Sequence, residues 1–102
     1  MEIDYQFVGW CYDSQANHDK VWVSIRLSGD AWSGNYLTVW GRRGKKLQSK
    51  TYHSVSAWEM SRLYNKKTNK DYQEVSVARL GEVYPEFQED LEKSAVWALL
   101  AG

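Results

Sequence analysis

The sequence predicts an α+β domain, a twisted, mostly antiparallel sheet of four or five strands with one helix packed on it and a C-terminal helix added. Three observations predict it. Lys20 to Leu27 sets Val21, Val23, Ile25 and Leu27 against Trp22, Ser24 and Arg26, the period of two that belongs to a strand. Tyr36 to Tyr52 holds two aromatic and β-branched runs around Arg43-Gly44, the pattern of a β-hairpin whose glycine takes a positive φ cheaply. Ser56-Ala57-Trp58-Glu59 is a capping box, followed by Ala57, Met60, Leu63, Tyr64 and the stem of Lys67 at helical spacing.

Taken in order, Tyr5 to Tyr12 reads as a strand, with Phe7 and Cys11 on one side and Val8, Trp10 and Tyr12 on the other. Asp13 to Asn17 is turn material, because Asp, Ser and Asn side chains bond their own backbone. The apolar face of Lys20 to Leu27 is core. Ser28 to Asn35 is the loop into the next strand, and Trp32 within it has no periodic reason to be there. In that strand Leu37 and Val39 share one face, and Tyr36, Thr38, Trp40 and Arg42 the other, with Leu47 to Tyr52 as the return. The helix starts at Ala57 and ends near Thr68-Asn69. Tyr72 to Leu80 is expected as a further strand. Tyr84-Pro85-Glu86 opens a last helix, with Pro in its first turn, acids close behind, and Phe87, Leu91 and Ala95 at helical spacing. It is expected to run over 84–101.

A chain of 102 residues is long enough for one domain with a real core. A lone cysteine, Cys11, leaves no internal disulfide and no cysteine-based zinc site, and points to a reducing compartment. No run approaches a membrane span, and Met1 to Asp4 lacks the basic start of a signal peptide, so a soluble cytoplasmic or otherwise intracellular protein is expected. Net charge is zero, which on its face opposes a nucleic-acid partner. The distribution overrides that reading: residues 1–41 carry −3, residues 42–70 carry +8, and residues 71–102 carry −5. The middle third has a local field that the total conceals.

Within that basic third, Trp40-Gly41-Arg42 is followed by Arg43, Gly44, Lys45, Lys46 and Lys50. A flat ring beside positive charge suits a sugar-phosphate chain. Trp40-Gly41-Arg42 with Gly44 resembles the signature of the WGR domain, known from DNA-dependent poly(ADP-ribose) polymerases. The resemblance extends over Val21 to Tyr72, through the strand before the signature, the basic turn, the helix, and Lys67-Thr68 with Tyr72 behind it. It implies a stand-alone DNA-binding domain that packs the Trp40 ring on sugar-phosphate, with a preference for ends or breaks. Arg42 signals between domains in those enzymes, and a phosphate contact is the simpler role for it here. The chain departs from the family at Arg43, where a small aliphatic residue is usual, and at Asn69, where a glycine is usual. Asparagine also tolerates the left-handed conformation.

The candidate nucleic-acid-binding residues are therefore Trp40, Arg42, Arg43, Lys45, Lys46 and Lys50. Lys66, Lys67 and Lys70 are accounted for by the helix macrodipole, which favours cations at a C-terminal end by about 0.3–1 kcal/mol each. A second reading makes the domain a protein-interaction module using Trp22, Tyr36 and Trp40, or the apolar tail. In the tail Trp97, Leu99 and Leu100 point around a whole helix and suit a homodimer or a protein partner. Catalysis has little support. His18 and His53 fall at turn-like positions without the spacing of a metal pair, Cys11 has no basic neighbour, and Glu86, Glu89, Asp90 and Glu92 read as a solvated helix face. No cofactor or metal is implied.

Overall fold

A computed structural model describes residues 3–94 and 97–98. Strands β1 (Asp4–Asp13), β2 (His18–Gly29), β3 (Ser33–Arg42), β4 (Gln48–Ser56) and β5 (Gln73–Glu74) form one sheet in the order β4-β3-β2-β1-β5. Every pairing is antiparallel. Among the described residues, helices α1 (Ala57–Thr68), α2 (Val77–Val83) and α3 (Phe87–Glu92) accompany it, and Trp97 and Ala98 are helical as well. The expected α+β class is the observed one.

Alternation along β2 decides what lies where. Val21, Val23 and Ile25 join Val8, Leu37 and Val39 on one face, and Leu80 from α2, Phe87 and Leu91 from α3, and the intervening Tyr84 cover them. Trp22 joins Phe7, Cys11 and Tyr72 on the other face, where Leu63 and Tyr64 of α1 pack. Phe7 and Tyr64 stack at 4.9 Å between centroids, and the Tyr64 hydroxyl bonds Ser24 Oγ at 2.8 Å. Val21 through Ile25 are consequently all buried, as in a strand covered on both sides. The alternation of Lys20 to Leu27 predicts core on one face of β2 alone. Helices on opposite faces make both faces core.

Two expected elements change. Strand β5 holds only Gln73 and Glu74, paired with Trp10 and Gly9 of β1, rather than a run from Tyr72 to Leu80. Beyond it Ser76 Oγ accepts from the Arg79 N–H at 3.0 Å and caps α2. Leu80, Val83 and Tyr84 then recur at helical spacing against the core, which a strand would split between two faces. The single helix expected over 84–101 is broken after Glu92: the Ser94 N–H and Oγ–H both donate to the Leu91 carbonyl, at 3.0 and 2.7 Å, and close the end of α3, and Trp97 and Ala98 are helical again beyond it. Trp97 packs against the larger core cluster, so its side chain is partly covered within this chain. Leu99 and Leu100 lie outside the described residues.

Helix α1 spans Ala57–Thr68 with Ser56 as its cap, as its sequence predicts, and Ser56 Oγ accepts from the Glu59 N–H at 3.1 Å. After it, Asn69 is right-handed (φ −71), and the left-handed residue is Asp71 (φ +75). The reversal that carries the chain from α1 into β5 thus falls two residues later than Asn69.

Candidate functional site

Strand β3 ends in Trp40-Gly41-Arg42, and its register on β2 sets Trp40 opposite Trp22 and Arg42 opposite Lys20. Cross-strand partners project from the same face, so the four side chains share the α1 side of the sheet. The last turn of α1 and the segment after it bring Lys67, Lys70 and Tyr72 to the same place. Together with Asn17, His18, Asp19 and Gly41 these residues line one open cleft of about 480 Å³. Trp22 and Tyr72 are its buried rings and Trp40 is half-buried at its wall. Trp40 lies on the face opposite α3 and Tyr84, so those elements do not cover it.

The electrostatics are one-sided. Lys67 Nζ sits 5.3 Å from the Trp22 ring centroid, and Lys20 Nζ sits 5.6 Å from that of Tyr72. Burial holds the Lys67 ammonium below the usual lysine range, and the fields of Lys70 and Lys20 add to that depression. Burial also pushes the Tyr72 hydroxyl up to about 12. Arg42 is exposed and donates to the Asn17 carbonyl and to Asn17 Oδ1, both at 2.9 Å. Asn17 is left-handed (φ +57), which lets the β1–β2 turn present both oxygens to the same guanidinium. Among the described residues, ion pairs join Arg43 to Asp19 and Arg79 to Glu82, and neither includes a cation of the cleft. Like charges directly opposite across strands are destabilising, and Lys20 faces Arg42 without an acid between them. An anion in the cleft would relieve that repulsion.

The residues proposed from sequence divide. Trp40 and Arg42 line the cleft; Arg43, Lys45, Lys46 and Lys50 do not. Arg43 turns to the other side of the sheet, where its Nε and Nη2 donate to Asp19 Oδ2 at 2.9 and 2.6 Å and its Nη1 donates to the Val83 carbonyl at the end of α2. Lys45 and Lys46 are exposed in the β3–β4 turn, where the Lys45 N–H donates to the Arg42 carbonyl at 3.0 Å and Gly44 takes φ +83. Lys50 lies 4.7 Å from the Tyr52 ring centroid. Lys20, Lys67 and Lys70 are the cleft residues that sequence reasoning left out. The signal for one of them is present in the sequence, since Lys67 opens the Lys67-Thr68 stretch that leads to Tyr72.

His18 and His53 stand in strands β2 and β4, and no group of three or more His, Cys, Asp or Glu side chains suited to a metal ion occurs among the described residues. No helix among them is long and apolar enough to cross a membrane. Comparison of the chain with protein-family models, with curated proteins and with solved structures finds no match in any of the three.

Proposed function

We propose that this domain is a non-catalytic nucleic-acid-binding module that takes DNA by its sugar-phosphate backbone in the Trp40–Arg42 cleft. One observation carries the reading: Lys20, Lys67, Lys70 and Arg42 converge on a cleft walled by Trp22, Trp40 and Tyr72, and no carboxylate among the described residues pairs with them. Gathering four cations costs stability unless something neutralises them. A structure that departs from a local rule in this way does so most often at a functional site. Phosphate supplies the charge, and an aromatic wall accepts the face of a sugar or base. Ammonium groups and a ring packed on sugar read backbone rather than base edges, so sequence preference is weak. The likeness to the WGR domain supports DNA, at ends or breaks, over other polyanions.

Titration of a labelled DNA duplex at several salt concentrations tests the reading. The logarithm of affinity should fall linearly with the logarithm of salt, with a slope near −0.9 per phosphate neutralised. Replacing both Lys67 and Lys70 by glutamine should flatten that slope by roughly two units, whereas replacing Lys45 and Lys46 should leave it nearly as it was. Equal slopes for the two double variants would remove the cleft as the site.

A second reading, a protein-interaction module, is favoured by a different observation. Trp32 and Trp58 are 84% and 67% exposed, and large rings so placed suit a partner surface. A partner held by those rings would bind with little dependence on salt.

A further inference from the structure

We infer that Arg43 is a positioning residue of this cleft, which it serves from behind by neutralising Asp19 and fixing the strand ends that carry Lys20 and Arg42. The inference rests on the proposed binding of phosphate in the cleft. Arg43 does not line that cleft, and four of its donors are already engaged: Nε and Nη2 on Asp19 Oδ2, Nη1 on the Val83 carbonyl, and the backbone N–H on the Asp19 carbonyl at 3.0 Å. Asp19 Oδ1 accepts in turn from Trp10 Nε1 at 3.2 Å. One side chain therefore joins the start of β2, the tip of the β3–β4 hairpin and the carbonyl end of α2, where an orphan acceptor awaits a donor.

The clamp bears on the cleft in two ways. Asp19 adjoins Lys20, and Arg43 adjoins Arg42, the cross-strand pair whose like charges would otherwise drive the two strand ends apart. Asp19 is also the one acidic residue among those that line the cleft. Its side chain is only 18% exposed, and that of Arg43 32%, so an unmatched charge here is poorly screened by water. Removing the guanidinium would leave a negative charge behind a site built for an anion.

Four variants decide it, Arg43→Gln and Arg42→Gln each with and without Asp19→Asn, measured against a labelled DNA duplex over a salt series, with thermal midpoints to confirm folding. Arg43→Gln should weaken binding roughly tenfold, the effect of one uncompensated charge at short range, with the salt slope unchanged because no phosphate contact is lost. The double variant Arg43→Gln, Asp19→Asn should recover most of that loss, while Arg42→Gln should lower the slope by about one unit and gain nothing from Asp19→Asn. A slope lowered in Arg43→Gln without rescue would make Arg43 a direct phosphate contact and overturn the inference. Unchanged affinity in a folded Arg43→Gln would overturn it too. If the wild-type chain fails to bind duplex, the proposed function falls, and the same variants titrated with inorganic tripolyphosphate decide the clamp. Loss and rescue there support it; no binding, or no rescue, removes it.

Discussion

The Lys67 ammonium group lies 5.3 Å from the centroid of the Trp22 ring, reaching from the last turn of α1 onto a strand residue 45 positions earlier in the chain. Burial against that ring, and the fields of Lys70 and Lys20, depress its pKa. A bound anion stabilises the charged form, so binding draws a proton wherever the free amine has lost one. Affinity is then full below the depressed pKa and falls as pH rises through it. We predict a decline in duplex affinity that sets in below the ordinary lysine range near 10.4, and its displacement to higher pH in Lys67→Arg. Anisotropy titrations between pH 7 and pH 10 check this, and identical profiles for the two proteins would refute a role for Lys67.

Ser56 is predicted to matter for stability and not for binding. Its hydroxyl oxygen satisfies the Glu59 N–H at 3.1 Å, one of the donors that the first turn of α1 leaves open. Ser56→Ala should cost about 0.5–2 kcal/mol. Urea denaturation reads the loss, and duplex affinity measured below the transition should match wild type. An unshifted midpoint would show that the cap contributes nothing.

Alkaline pH should unfold the domain through its buried tyrosines. Burial, and secondarily the bond to the Asp90 carboxylate, pushes the Tyr84 hydroxyl up to about 12, and burial does the same for Tyr72. Both folded values exceed the unfolded value of about 10, so the neutral phenols stabilise the fold fully below about pH 10. That stabilisation is lost as pH climbs toward 12. Thermal midpoints across this window should fall less steeply in the Tyr72→Phe, Tyr84→Phe double variant, which has no phenol to ionise at either position. Parallel slopes would contradict the assignment.

Trp97 is predicted to act within one chain. Its ring packs against the cluster that includes Val21, Leu80 and Leu91. Trp97→Ala should therefore lower stability, by less than the roughly 1.5–3 kcal/mol of a fully covered large apolar side chain because the ring is only partly covered. Denaturation measures the loss. Light scattering on the same samples tests the homodimer expected from the tail: a lower mass in Trp97→Ala, with stability intact, would place the ring between copies instead of in the core.

Much of the architecture was legible because it depends on neighbours in sequence. The alternation of β2, the Gly44 turn of the hairpin and the Ser56 cap of α1 are each set within a few residues, where backbone geometry and local hydrogen bonds decide the outcome. The boundary between β5 and α2 was less so. Tyr72 to Leu80 alternates well enough for a strand, and the Ser76 cap together with the core that receives Leu80 and Tyr84 makes its second half a helix.

What the sequence by itself determined is the chemistry placed on β3, with Trp40 and Arg42 on one face and Leu37 and Val39 on the other, since successive side chains of a strand must alternate. Tertiary structure alone decided the company they keep. Lys20 comes to Arg42 through strand register, and Lys67 and Lys70 arrive because α1 crosses that face while α2 and α3 cover the other. It also decided that Arg43 would turn away to Asp19. A charge run in sequence fixes how much charge a segment carries, but the sign of the field at a given cleft depends on which cations find an acid within bonding distance, and that is settled only when distant segments pack.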